Sequence, residues 1–170
     1  VARPDMIGAI ARIFHLKKRP QDMKLQVLLP EGMDVRKIGA ATGETAVALL
    51  SQPNLRAGVT FILPLDPALK PVWLGTREEA GVRIPGDARI QAVLAATGPL
   101  FATSANAHGQ PPGQSCEEIL AALDGAPDAV WDVGPLGNIA STIVNFNADP
   151  PCVLRWGVID DLTEFGLGHG

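Results

Sequence analysis

The sequence predicts an α/β (α+β) fold, a twisted mixed β-sheet flanked by helices within a single domain. Three observations lead there. Short apolar runs of strand length alternate with stretches whose apolar residues recur at helical spacing. Strands then dominate the later part of the chain. Glycine and proline punctuate most junctions, yet there is no internal repeat and no linker long enough to divide two domains.

Residues 4–16 read as an amphipathic helix in which Ile7, Ile10, Ala11 and Phe14 share a face and Asp5 places negative charge near the first turn. Lys17, Lys18 and Arg19 follow at its end, where cations suit the helix dipole, and Pro20 stops it. Residues 25–29 form a short strand-like run. Residues 44–50 read as a helix, and residues 59–63, 72–74 and 81–84 as strands punctuated by Pro64, Pro67, Pro71 and Pro85. Residues 87–96 give a second amphipathic helix, which Gly98 and Pro99 end. A buried strand over 100–103 delivers Ser104, Ala105 and Asn106 into a Gly/Pro-rich loop. Residues 117–123 follow Ser115 as a capped helix, and strands at 129–132, 142–146 and 152–155 complete the set. Residues 1–160 are assigned to the domain, and the polar, glycine-rich residues 161–170 to a surface tail.

Composition narrows the function classes. The 170 residues suffice for one domain with a real core, and 46% hydrophobic with 19% charged residues is ordinary for a packed globular protein. A net charge of −4 argues against a domain built to grip a nucleic-acid backbone, while leaving room for a local basic pocket. Cys116 and Cys152 have neither metal-ligand spacing nor a disulfide framework, so buried, inert thiols in a reducing compartment are expected. No apolar run approaches the length of a membrane span, and the start lacks a signal-peptide pattern. The expectation is a cytoplasmic protein with no membrane contact.

The chain has no GxxxxGK[ST] phosphate loop, no GxGxxG dinucleotide turn, no HExxH helix and no Gly-x-Ser-x-Gly elbow. His15, His108 and His169 do not form a ligand set. Two clusters remain. Lys17-Lys18-Arg19-Pro20 reads, by itself, as a solvated basic helix end. The run from Ala102 to Gly109 leaves a buried strand, where small hydroxyl and amide side chains suit phosphate or ribose; a self-satisfied Ser/Asn turn is the other reading.

Together the clusters carry more. Lys17-x-Arg19 with Ser104-x-Asn106 resembles the KxR…SxN signature of the YrdC-like family, the threonylcarbamoyl-AMP synthases. Gly58-Val59-Thr60, Val82-Arg83-Ile84-Pro85, Ser141-Thr142-Ile143-Val144 and Leu154-Arg155-Trp156-Gly157 resemble further family motifs in the expected order, from about residue 4 to Ile159. The family's opening T-x-T-x-Y-G strand is absent from this sequence, which begins with Val1 and contains no tyrosine, so the domain is expected to be N-terminally truncated. Leu28 stands where several relatives have histidine, and Arg56-Ala57-Gly58 replaces the usual Pro-Gly-Pro approach.

The resemblance implies condensation of L-threonine, bicarbonate and ATP, with Mg2+, into threonylcarbamoyl-AMP and pyrophosphate for tRNA t6A modification. It implies Lys17 and Arg19 as the catalytic, phosphate-neutralising pair, and Lys17, Arg19, Thr60, Ser104, Asn106 and Arg155 as ATP contacts. It implies Arg83 and Ser141 as threonine contacts, with no protein metal site, and tRNA or a t6A-transferase complex as partners. Taken singly, each residue also has an ordinary structural reading: Thr60 as sheet filling, Arg83 in an ion pair, Arg155 at the surface and Ser141 as a strand-start hydroxyl. Two alternatives stay open, a carbamoyl-adenylate-forming domain of a carbamoyltransferase and a non-catalytic RNA-binding module.

Overall fold

The computed structural model describes residues 1–21, 23–111, 113–134 and 140–168. Its backbone groups into two compact units, one of Val1–Leu25 with Phe101–Asn138 and one of Gln26–Leu100 with Ile139–Gly170. Each unit is assembled from two separated stretches of chain, which is why no linker in the sequence marks them.

In the first unit, α1 (Ile7–Leu16) buries Ile13 and Phe14, whereas Ala11 is exposed. The apolar face therefore sits slightly round from the one expected. Asp5 does not cap the helix; it pairs with Arg3 at the surface instead, and the N-cap Met6 offers no side-chain acceptor. The helix end is tied to later chain, for Leu16 O accepts from Asp124 N (2.8 Å) and Arg12 donates to Ala126 O (2.8 Å). A backbone bridge pairs Ala2 with Phe101 in the same unit. The short helix Cys116–Ala122 starts at Ser115, whose Oγ accepts from Glu118 N, while the Glu118 carboxylate accepts from Gln114 N. That reciprocal pattern satisfies amides which the first helical turn leaves without partners.

The second unit holds a mixed sheet. Its strands are β1 (Gln26–Leu28), β2 (Val59–Pro64), β3 (Glu79–Arg83), β5 (Thr142–Asn145) and β6 (Cys152–Arg155), while β4 (Leu100–Ala102) leads the chain back to the first unit. β1 runs parallel to β3, β3 antiparallel to β2, β2 parallel to β5 and β5 antiparallel to β6. Val27, Val59, Phe61, Leu63, Val82 and Val144 are fully buried, and Phe61 stacks on Phe146 with ring centroids 5.7 Å apart. Helices α2 (Glu44–Leu50), α3 (Pro53–Gly58) and α4 (Ala88–Thr97) belong to this unit, and α4 is capped by Asp87, which accepts from Arg89 N at 2.8 Å.

Several expectations need correction. Residues 72–74 form a 3-10 turn rather than a strand, because Pro71 and Gly75 (φ 58°) bracket a run too short to pair. Residues 129–132 form no strand; Val130 and Trp131 are exposed, so that apolar run has no partner face. α3 was missed because it is short and starts on Pro53, which suits the first helical position. Neither thiol is buried, Cys116 being half-buried and Cys152 exposed on β6.

Residues 161–168, the described part of the expected tail, are anchored at two leucines. Leu162 and Leu167 are buried and bridged to each other, because a 3-10 turn ending at left-handed Gly166 folds them back together. His169 lies outside the described residues. No helix among the described residues is long and apolar enough to cross a membrane. Leu162→Ala is expected to lower unfolding free energy by about 2–5 kcal/mol, as for other buried leucines. A urea midpoint within error of the parent protein would show that this stretch is peripheral after all.

Candidate functional site

The predicted site residues fall into two clusters, one in each unit. In the first unit the end of α1 explains the spacing of Lys17 and Arg19. Lys18 N donates to His15 O (2.9 Å) and Arg19 N to Phe14 O (2.9 Å), with Lys18 in the left-handed region at φ 49°. This is a Schellman ending, with Lys17 at the C-cap and Arg19 two residues on. The turn draws both side chains into the cluster and leaves Lys18 exposed, 3.9 Å from Asp124.

Lys17 is only 5% exposed. Its ammonium donates to Ser104 O (2.5 Å), Asn106 O (2.6 Å) and Asn106 Oδ1 (3.0 Å). Ser104 Oγ donates to the same Asn106 Oδ1 (2.5 Å), and Asn106 Nδ2 donates to Gln110 O. Lys17 O in turn accepts from His108 N at 2.9 Å. Arg19 donates to Thr103 Oγ1 and Lys24 O, both at 2.9 Å, while its Nε is buried with no partner among the described residues. Burial lowers the Lys17 ammonium from 10.5 to about 8, and the neighbouring Arg19 charge adds to that. Burial likewise pushes Arg19 below its ordinary value. The structure thus brings Lys17, Arg19, Ser104 and Asn106 together, and the reading of Lys17 as a solvated helix end does not hold.

The second cluster is a product of register. Thr60 pairs with Arg83 across β2 and β3, Thr60 with Ile143 across β2 and β5, and Ile143 with Arg155 across β5 and β6. Directly paired residues share a face, and side chains alternate with period two. Ser141 stands two residues before Ile143, so Thr60, Arg83, Ser141 and Arg155 sit on one face at one end of the sheet. Because the strands are mixed in direction, this end collects the starts of β2 and β5 and the finishes of β3 and β6. The Thr60 and Ser141 hydroxyls hydrogen-bond at 2.8 Å, and Arg155 donates to Ser141 O at 2.8 Å. Arg83 Nε is buried without a partner among the described residues, and burial, then the nearby Arg155 charge, lowers its guanidinium below the usual value. Two guanidinium groups and two hydroxyls on one face suit an anionic ligand.

Three supporting residues escaped the sequence reading. Thr103 receives Arg19. Thr142 is fully buried; it accepts from Gly157 N (2.9 Å) and donates to Ile159 O, pinning the chain after β6 against the start of β5. Gly157 must lack a side chain, since a Cβ there would run into Ala140 O and the Ser141 carbonyl. Thr103 and Thr142 lay inside quoted motifs, but their role depends on partners distant in sequence. Among the described residues no cluster of His, Cys, Asp or Glu could hold a metal ion.

The fold defines the class first. The chain is an α/β protein with the architecture of P. abyssi Sua5, whose crystal structure complexed with L-threonine superposes with a TM-score of 0.77 at 24% identity, over 92% of this chain and 46% of that one. The family model for Sua5, YciO and YrdC proteins, described as "Telomere recombination", matches residues 1–157, and the chain belongs to that family. A threonylcarbamoyl-AMP synthase of Bacillus subtilis is 30% identical over 89% of this chain and 44% of its own length. One of Xanthomonas campestris is 35% identical over 81% of this chain and 74% of its own length. The chain therefore spans less than half of the Bacillus and P. abyssi proteins.

Lys18→Gly is expected to raise stability by roughly 0.5–1 kcal/mol, since glycine removes the left-handed strain but loses more chain entropy on folding. Thermal melting reads this directly, and a lower melting temperature would mean the Lys18 side chain matters more than the turn.

Proposed function

We propose that this chain makes L-threonylcarbamoyladenylate and pyrophosphate from L-threonine, bicarbonate and ATP, for t6A37 modification of tRNA in the cytoplasm. The observation that carries the reading is that the eight signature residues form two coherent polar clusters, each with a buried guanidinium Nε left without a partner among the described residues. Family membership and the names of the relatives support it.

In this reading threonine's amine condenses with bicarbonate, releasing water and giving N-carboxy-threonine. A carbamate oxygen then attacks the α-phosphorus of ATP, and pyrophosphate leaves. No protein nucleophile is needed; the demand is for alignment and neutralisation of phosphate charge. Lys17 and Arg19 supply positive charge, with Ser104 and Asn106 shaping the loop. Thr60 and Arg155 contact the nucleotide. Arg83 takes the threonine carboxylate in two-point fashion and Ser141 completes that contact. The candidate residues include no carboxylate, so magnesium would arrive on the triphosphate as part of the substrate. Transfer onto tRNA is the step that consumes the product, and a tRNA-modifying complex is the partner this implies.

The test is pyrophosphate release. It should need threonine, bicarbonate and Mg-ATP together, and Arg83→Lys should raise the threonine KM by about 10–100-fold, the worth of a lost charged hydrogen bond. Release without threonine, or from carbamoyl phosphate instead, would overturn the reading.

A pH dependence follows from Lys17, whose folded ammonium titrates near 8 against 10.5 when unperturbed. A bound triphosphate favours the charged form, so nucleotide binding should take up a proton above pH 8 and weaken as pH rises through that value. For folding itself the sign is opposite. The unfolded chain keeps the Lys17 proton to higher pH, so this group adds stability as pH rises from 8 towards 10.5 and removes it on the way down. Calorimetry of ATP binding in buffers of different ionisation enthalpy measures the uptake, and equal affinity at pH 7 and 9.5 would contradict it.

A further inference from the structure

The Lys17 side chain has no donor left over. An ammonium carries three N–H groups and no acceptor, and all three are matched by Ser104 O, Asn106 O and Asn106 Oδ1. The residue's own carbonyl holds His108 N, so Lys17 grips the loop through both side chain and main chain. The Asn106 amide is fixed by the same arrangement. Its oxygen must face the ammonium and the Ser104 hydroxyl, and its Nδ2 then reaches Gln110 O.

Turning two carbonyls towards the ammonium has a consequence for the peptides they belong to. In a trans peptide the N–H points opposite to the C=O. The Ser104 carbonyl shares its peptide with Ala105 N–H, and the Asn106 carbonyl shares its peptide with Ala107 N–H. Both N–H groups therefore face away from Lys17. Asn106, His108 and Gln110 donate their amides within the unit, whereas Ala105 and Ala107 donate to no backbone acceptor among the described residues. Ala105 is exposed and Ala107 half-buried, and their methyl groups leave the backbone accessible. Two outward backbone N–H groups on alternate residues, with a cation behind the loop, can donate together to phosphate oxygens.

We propose that Lys17 is a positioning residue that shapes the Ser104–Asn106 loop before nucleotide arrives, so that the Ala105 and Ala107 backbone N–H groups, rather than the lysine ammonium, donate to the phosphate oxygens. The proposal rests on the reading of this loop as nucleotide-binding. It explains why the lysine is buried, where a direct phosphate ligand on a flexible stem is better served by exposure. It also leaves Arg19, whose buried Nε has no partner among the described residues, as the side chain of the pair that can add a further donor.

The test uses amide spectra of the isotope-labelled chain and of Lys17→Met and Lys17→Arg. In the nucleotide-free state, hydrogen exchange at His108 should speed up at least tenfold in both variants, because the planar guanidinium of arginine cannot give three donors converging on that oxygen set. In the parent protein ATP should move the Ala105 and Ala107 amide protons downfield. In both variants those shifts should vanish and the ATP Kd should rise at least tenfold. Methylammonium should restore binding to Lys17→Ala, and tetramethylammonium, which has no N–H, should not. ATP binding by Lys17→Arg within threefold of the parent, unchanged nucleotide-free exchange in Lys17→Met, or Ala105 and Ala107 amides unmoved by saturating ATP would each overturn the proposal. Should the lysine variants fail to fold, Asn106→Ala, which removes one of the three acceptors, should raise His108 exchange several-fold, and no change there would count against it equally. If the parent protein binds no ATP, the nucleotide reading of the loop fails, whereas the nucleotide-free exchange still decides whether Lys17 organises it.

Discussion

Strand register is the constraint on which the second unit depends. Side chains alternate faces with period two, so a slip of one residue in any pairing would send a whole set of side chains to the other face. The pairings Thr60 with Arg83, Thr60 with Ile143 and Ile143 with Arg155 carry one face across four adjacent strands. The buried set Val59, Phe61, Leu63, Val82 and Val144 holds that register, because the opposite arrangement would put Phe61 and Val82 where Thr60 and Arg83 now stand. Packing and chemistry are therefore fixed by the same choice. Thr142 and Gly157 extend it past the strand ends: the buried hydroxyl ties the chain after β6 to the start of β5, and the missing side chain permits the close approach.

The first unit solves a different problem, that of holding a cation out of water. Taking an ammonium out of solvent is costly unless its hydrogen bonds are replaced. Here two main-chain carbonyls and an amide oxygen replace them, and the loss of solvent still shows in the lowered Lys17 titration. The lysine is in turn where it is because α1 ends in a left-handed turn at Lys18, which separates two inward-directed cations by one outward-directed one. The K-x-R spacing is thus the period of a helix ending, not of a helix face.

Much of this was legible in the sequence, and for physical reasons. Apolar periodicity located α1, α2, α4 and the strands β1, β2, β5 and β6 to within a residue or three, since burial of one face is what those patterns encode. Ser115 as a cap was legible because its hydrogen bond is local. Where apolar residues lacked a partner surface the pattern misled, as at Trp131. Where two leucines in a polar stretch were folded back by a glycine turn, as at Leu162 and Leu167, it understated burial.

The sequence by itself determined the α/β class, the family motifs and the identity of the candidate residues, because residue type and order along the chain are sufficient for those. Only the tertiary structure decided what each of them touches. That Lys17 is buried against Ser104 and Asn106, that Thr60 meets Ser141, and that Arg83 keeps a nitrogen without a partner among the described residues all depend on contacts between residues tens of positions apart. Such contacts follow from turn geometry and strand register, which the packing of the whole chain selects and no local pattern specifies.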